Sequence, residues 1–562
     1  MKKILTIMAS ALVLATACDQ SRLDIPKKGV VSEESFYKTD ADAESALVAA
    51  YYNACRSLCA PNNGGLYAPY LCCFSIPSDE FWGGGANFGD TDYLSKPNEW
   101  RADSQNGVFN KMYNASYQGI YYANLVINKF APTDSPVKAK CIDEARFLRA
   151  YFHLILAIGW GNPPIVTEIL GADARPGNSQ PGEVLAFVES EFKDILPRLS
   201  KRNGKDDKEG IYRANQGICQ ALLAKTQMWM GKYADAQANL KAVIKSGDYD
   251  LVPGDQMKYI FHKAGDGSCE KVFELNFKDN PNAINGRNGH FHMQRNQANF
   301  WRDLMNLPDV TIQLMGWGGG GNPSQKFVDA IMANEPDSYR RKAWLISYEE
   351  LLSEFTYSSI EGGADMTPEE RLMDGRRGIK EDVNAAGGYY ANCGWFAFKH
   401  APYQSDLITN NNAATDNNHV IMRYAEVLLM YAEACAMTND NDGLQYLNAI
   451  QTRAGAPTTS LTMENVKREK WFEMFMEGVR FEDLVRWGDA VKELGDNGKC
   501  VPNFQDEYWL SGGTKPHKAV LNLADAYYNG NECGFKAGKN ELMPYPFGEL
   551  NVNPEIKQNP GW

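Results

Sequence analysis

The sequence predicts a mainly α protein with little β structure, in which paired helices carry long irregular loops. Three observations predict it. Apolar residues recur at i, i+3/i+4 and i+7 along several stretches, the spacing that places them on one buried helix face. Tight turns join two of those stretches to a following helix. The composition is globular, with 44% hydrophobic and 23% charged residues among 562, enough to bury a core and to exclude wholesale disorder.

Taken in order, residues 42–57 are alanine-rich with a helical period, and residues 109–130 follow after a long loop. From Ala214 the apolar positions are Ala214, Ile218, Ala221, Leu222, Met228 and Trp229, one face of a helix. The turn Met230-Gly231-Lys232-Tyr233 leads to a second helix reaching Ile244. Ile421, Ala425, Leu428, Leu429, Ala432 and Cys435 repeat the pattern, and Asn439-Asp440-Asn441-Asp442 turns the chain into a helix reaching Thr452. Two helices joined by a tight turn, with alanines where they cross, make a tetratricopeptide-like hairpin. No clean period of about 34 residues runs through the chain, so the hairpins are scattered rather than arrayed.

The first residues point to a compartment. Lys2 and Lys3 form a short positive region before the mostly apolar residues 4–17. That length suits a signal peptide and falls short of the roughly 20 residues a spanning helix needs. Leu14-Ala15-Thr16-Ala17 ahead of Cys18 resembles a bacterial lipobox, in which the sulfur is acylated and the preceding peptide removed. A plain secretory signal that ends beside a cysteine is the blander alternative. A lipid on Cys18 would anchor the chain to a membrane surface without spanning it.

Charge and cysteines narrow the field. With 57 Lys plus Arg against 70 Asp plus Glu, the net charge is −13, and loss of Lys2 and Lys3 would take it to −15. An acidic chain is a poor nucleic-acid binder, because that affinity comes from neutralising phosphates. Of 12 cysteines, 11 remain beside a lipidated Cys18, an odd number too sparse for a disulfide scaffold. Most read as small buried apolar residues.

The long irregular segments are where function is expected. Residues 64–100 hold Tyr67, Tyr70, Phe74, Phe81, Trp82, Phe88, Tyr93 and Trp100, and residues 276–323 hold Phe277, Phe291, Phe300, Trp301 and Trp317. An aromatic face beside short polar residues suits a sugar ring, whose C–H face stacks while its hydroxyls seek hydrogen bonds. For any single ring the plainer reading is that it fills its own loop's small core, while across the two segments at least one ring is expected to meet a ligand. Signs of catalysis are weak. Gly318-Gly319-Gly320-Gly321 lacks the ending of a phosphate loop, and no Gly-x-Ser-x-Gly elbow occurs. His290 and His292 lack a third metal ligand. No cofactor is expected; calcium would need only clustered loop oxygens, but no EF-hand spacing supports it.

Eight motifs appear in order along the chain. They are Leu23-Asp24-Ile25-Pro26; residues 144–152 around Arg146 and Arg149; Gly159-Trp160-Gly161-Asn162-Pro163-Pro164; and residues 422–434 with Arg423, Tyr424, Glu426 and Glu433. Residues 447–455, residues 477–488 from Glu477-Gly478-Val479-Arg480 to Trp487-Gly488, Met543-Pro544-Tyr545-Pro546 and Gln558-Asn559-Pro560-Gly561-Trp562 complete them. Together they resemble the SusD/RagB family of outer-membrane nutrient-binding lipoproteins over nearly the whole chain. Length alone suggests three or four domains, whereas the resemblance implies one unit: a signal peptide at 1–17, a lipidated tether at 18–30, an N-terminal SusD-like region at 31–260 and a C-terminal RagB/SusD region at 261–562. It implies four tetratricopeptide-like hairpins as scaffold, a lipid-anchored, surface-exposed place on the outer membrane, and no catalysis. It also implies a partner, a SusC-like TonB-dependent β-barrel transporter that the protein covers as a lid.

The motif residues themselves read as scaffold. Arg423, Glu426 and Glu433 share a helix face, and Arg480 and Asp483 sit at i, i+3, spacings that favour ion pairs within or between helices. By the resemblance, the loop after Ser78-Asp79 is the main ligand-contacting segment, so Trp82, Asn87, Phe88 and Tyr93 are expected ligand-binding residues, with Trp301 and Trp317 from the second loop. The expected function is capture of an oligosaccharide or polysaccharide and its delivery to the transporter. An oligopeptide-capturing lid of the same family is one alternative, and a surface lipoprotein glycoside hydrolase is another.

Overall fold

A computed structural model describes residues 36–58, 69–84, 89, 92–276, 321–350, 389–400, 406, 417–516, 518–525 and 532–562. The first half is helical: α1 (Asp40–Leu58), α2 (Pro69–Phe74), α3 (Asp92–Asn98), α4 (Gly107–Lys129), α5 (Pro136–Trp160), α6 (Glu183–Ile195), α7 (Gln216–Trp229) and α8 (Tyr233–Ser246). The second half adds α9 (Gln325–Asn334), α10 (Tyr339–Trp344), α11 (Tyr424–Thr438), α12 (Gly443–Ala454), α13 (Met463–Glu473), α14 (Arg480–Trp487) and α15 (Ala490–Leu494).

Helix ends are set by local chemistry. Asn106 accepts from the Val108 N–H at 2.9 Å and Asn215 from the Ile218 N–H at 3.0 Å, capping α4 and α7. Ser135 caps α5, whose first residue is Pro136. Asn439 (φ 57°) ends α11 and Gly455 (φ 73°) ends α12 in the left-handed conformation that stops a helix.

Four helix pairs build the scaffold: α1 with α4, α5 with α6, α7 with α8, and α11 with α12. Each pair packs on the next through α4 on α5, α6 on α7 and α8 on α11. The helices α5 and α11 lie between neighbours, so most residues of each are buried, charged ones such as Glu144, Arg149, Glu426 and Glu433 included. One core runs from Ala43 to Ile556 and joins both halves of the chain. The hairpins expected over 214–244 and 421–452 are present, as are the helices expected over 42–57 and 109–130. Cys141, Cys219 and Cys435 are unbridged and buried within helices, as small apolar residues would be.

β structure is sparse. Among the described residues, β1 (Lys271–Leu275) pairs antiparallel with β5 (His419–Arg423), and β2 (Leu345–Ser347) with β4 (Trp395–Ala397). β6 (Cys500–Asp506) lies antiparallel between β3 (Tyr389–Tyr390) and β7 (Ala519–Asp525). One expectation needs correction: residues 64–100, read as irregular, contain α2 and α3. They are too short for a periodic signal, and Pro97 inside α3 hides it further. Among the described residues no helix is long and apolar enough to cross a membrane.

Candidate functional site

The ends of the two aromatic segments meet. Trp82 N–H donates to Asn322 O at 2.8 Å, Gly321 N–H to Trp82 O at 3.1 Å, and Ser324 N–H to Glu80 O at 2.8 Å, a short antiparallel ladder. Extended backbone sends successive side chains to opposite sides. Phe81 therefore enters the core at 1% exposure, while Trp82 is half-buried against Tyr390, Ala391 and Val501 of the β3–β6 sheet. Asn98 holds the segment from behind, its amide donating to Ile76 O at 2.8 Å and Phe81 O at 3.0 Å. Gly83 lies so close to α3 that a Cβ would stand 2.9 Å from the backbone of Leu94, so only glycine fits there.

Trp82 forms one wall of a cleft of about 550 Å³. Asp79, Lys326, Lys492, Glu493, Asn497 and Pro502 are among the residues that line it. The indole Nε1–H of Trp82 has no acceptor among the described residues. The charges are mutually paired. Asp79 accepts from Arg480 at 2.8 and 3.0 Å and from Lys326 at 2.7 Å. Lys326 also reaches Glu493 at 2.5 Å, and Lys492 reaches Glu493 at 2.9 Å. Burial pushes the Asp79 carboxyl up, but Arg480 and Lys326 outweigh burial and hold it below its ordinary value. Burial likewise opposes ionisation of Glu493, and Lys326 and Lys492 overcome it, leaving this carboxyl lowered too. Glu80, facing inward, behaves in the opposite way: burial drives its carboxyl well above the usual range despite a hydrogen bond from Met476 N–H at 3.2 Å.

Of the expected ligand residues, Trp82 stands in the cleft. Tyr93 is 37% exposed on α3 and is not among the residues lining it. Asn87, Phe88, Trp301, Trp317 and the lipidation candidate Cys18 lie outside the described residues. Phe74, Phe81 and Trp100, at 1%, 1% and 4% exposure, fill the core. Lys326, Lys492, Glu493 and Asn497 went unnoticed in the sequence. They are ordinary polar residues on and beside α9 and α15, and only the fold brings them to Trp82.

The motif residues are scaffold, joined across long sequence separations. Arg423 bonds Glu270, Glu473 and Glu477, each at 2.7 Å. Glu433 bonds Arg486, and Glu426 bonds Lys225. The i, i+3 pair of Arg480 and Asp483 does not form: Arg480 turns to Asp79, and Asp483 pairs with Lys470 and Arg486, both at 2.7 Å.

Paired helices stacked into a scaffold that holds an aromatic-walled cleft between loop ends define a helical-repeat protein with its candidate site outside the repeats. The SusD family model matches residues 269–562, more than half of the chain. The protein belongs to the SusD family. A second family model, described as starch-binding associating with outer membrane, matches residues 31–194. A SusD-like protein of Bacteroides ovatus is 23% identical over 100% of this chain and 98% of its own. SusD-like protein P25 of Formosa agariphila is 20% identical over 85% of this chain and 89% of its own. Two similar solved structures are a laminarin binding SusD-like protein (TM-score 0.68, 22% identity, 94% of this chain and 100% of that one) and surface glycan-binding protein A from Bacteroides thetaiotaomicron in complex with laminarihexaose (TM-score 0.69, 20% identity, 93% and 100%). At these identities the structural likeness speaks for the fold.

Proposed function

We propose that this protein captures a glycan at the cell surface and passes it to a SusC-like TonB-dependent transporter, without acting on it chemically. The observation that carries this is the ladder joining residues 80–82 to 321–324, which sets a half-buried Trp82 as the wall of a cleft with its indole N–H unspent. A pyranose face stacks on such a ring. Asn87, Phe88, Tyr93, Trp301 and Trp317 are the other residues proposed to contact the ligand. Relatives of like fold support the choice of ligand: one is named as laminarin binding and another was solved with laminarihexaose. Binding without catalysis is supported by the cleft's carboxylates. A glycosidase needs one carboxyl kept protonated as general acid, whereas two of the three carboxylates that line the cleft, Asp79 and Glu493 but not Asp496, are held low in ion pairs.

Titration with laminarihexaose tests the site. Trp82→Ala is expected to weaken binding about tenfold or more, the loss typical of a central aromatic contact. Unchanged affinity removes Trp82 from the site, and release of shorter sugars by the purified protein ends the non-catalytic reading. Uptake of oligopeptides instead of glycans would favour the peptide-capturing member of the same family.

The remainder of the proposal concerns place and partner. Residues 1–17 act as a signal peptide, Cys18 carries lipid, 18–30 is the tether, and the regions 31–260 and 261–562 work as one lid on the outer surface of the outer membrane. The family model described as associating with the outer membrane supports this location. Affinity purification from detergent-solubilised outer membrane is expected to bring down a β-barrel transporter with the wild-type chain, while Cys18→Ala shifts the protein to the soluble fraction. A wild-type preparation free of any barrel would refute the partnership.

A further inference from the structure

Away from Trp82, a groove of about 660 Å³ runs between α10, α12 and residues 251–254. One wall is a stripe of α12, Gln445, Asn448, Ala449 and Thr452, spaced i, i+3, i+4 and i+7 so that short polar and small side chains share one face. Facing it is Tyr339, the first residue of α10, a residue 53% exposed.

The position of that ring depends on glycines. A Cβ on Gly254 would stand 2.6 Å from Tyr339 Cδ2, and one on Gly455 would stand 3.2 Å from the same atom. The missing side chains let the ring lie down on backbone, while the residue as a whole stays exposed. An aromatic ring held in place and left exposed is a ready stacking platform, because its order is already established before a ligand arrives.

Two polar groups at this groove lack partners among the described residues. Arg453 is 5% exposed in its side chain and spends its two terminal nitrogens on Glu270 (3.0 Å) and Glu473 (2.5 Å), while Nε–H has no acceptor. Asn448 Oδ1 is shielded from solvent and has no donor. Orphaned buried polar groups cost free energy until something meets them. One is a donor and the other an acceptor, and a sugar hydroxyl offers both functions.

We propose that this groove is a second saccharide site, distinct from the cleft at Trp82, which takes a neutral pyranose unit with its C–H face on Tyr339 and hydroxyls toward Asn448 and Arg453. The choice of a sugar rests on the glycan-binding reading given above, while the groove and its orphaned atoms do not. Two sites on one chain make a difference only to a ligand long enough, or repeated enough, to use both, where the second contact adds avidity.

The test therefore uses the full chain with two probes, laminarihexaose in titration and laminarin in native affinity electrophoresis. Tyr339→Ala, and independently Asn448→Leu, are expected to lose about tenfold in laminarin retardation while leaving the strong hexasaccharide isotherm unchanged. Trp82→Ala is expected to keep residual laminarin retardation that disappears in Trp82→Ala/Tyr339→Ala. Retardation of both groove variants equal to wild type overturns the second site and leaves the Trp82 cleft standing. Loss in the groove variants with no effect of Trp82→Ala overturns the cleft and keeps the groove. A wild-type chain that laminarin does not retard overturns both.

Discussion

Asp79→Ala is expected to cost about 3–5 kcal/mol of folding stability, measured by denaturant unfolding, and to weaken glycan binding although Asp79 makes no stacking contact. The reason is the state in which it leaves Arg480. That guanidinium is 7% exposed, lies 4.4 Å above the Trp471 ring and directs two bonds at the Asp79 carboxylate, itself 2% exposed. Removing the carboxylate strands a buried cation, whereas the contact with Lys326, 44% exposed and still bound to Glu493, adds little because water screens it. The double variant Asp79→Ala/Arg480→Met is accordingly expected to recover much of the loss, since both charges leave together. Because Asp79 lies three residues before Trp82 and Ser324 Oγ donates to its carbonyl at 2.5 Å, freeing it loosens the ladder that sets the cleft wall. The pH dependence follows from the lowered carboxyl. Its stabilisation is complete above the ordinary value of 3.8 and fades as pH falls from there through the folded-state value, so the gap between wild type and Asp79→Ala closes in acid. A loss under 1 kcal/mol at neutral pH would show that the clamp holds nothing.

That clamp marks the limit of what sequence could reveal. Helix pairs were legible because their signal is local: Ala221, Leu222 and Met228, or Ala425, Leu429 and Ala432, repeat within a few turns and all are buried. Trp82 was legible for its position in an aromatic segment, but nothing local separates it from Phe81, which is one residue away and wholly inside. The strand-like alternation that divides them arises from pairing with residues 321–324, more than two hundred positions later. The same holds for charge. Spacing alone favours Arg480 with Asp483, but Lys470 and Arg486 occupy Asp483, and Asp79 captures Arg480 across 401 residues. Local periodicity reports faces; it does not report which distant face arrives opposite.

The second large effect lies in the scaffold. Arg423 is fully buried at the junction of β5 and α11, and its guanidinium bonds the Glu270, Glu473 and Glu477 carboxylates together with the Glu473 carbonyl, each at 2.7 Å. Those partners sit beside β1, at the end of α13 and in the turn before α14, so one side chain ties the small sheet to α13 and to the start of α14. Arg423→Met is expected to cost at least as much as a broken buried pair, about 3–5 kcal/mol, because three carboxylates lose a shared cation. Arg453 and Lys399 remain, bonding Glu473 and Glu477 respectively, and they keep the loss from tripling. Burial opposes ionisation of Glu473, but Arg453, Arg423 and Arg340 together hold its carboxyl far below the ordinary 4.5. Such a group stabilises the fold above 4.5 and stops doing so as pH falls toward its folded-state value. Wild type thus loses more than the variant on acidification, and their unfolding free energies converge below about pH 4.5; a constant difference from neutral pH into acid would mean that Arg423 stabilises by packing rather than by charge. The variant also bears on function. A scaffold weakened at Arg423 but unaltered at Trp82 is expected to bind laminarihexaose as wild type does at temperatures where it stays folded, whereas Asp79→Ala weakens binding even there. That contrast separates the residues that hold the fold from those that hold the site.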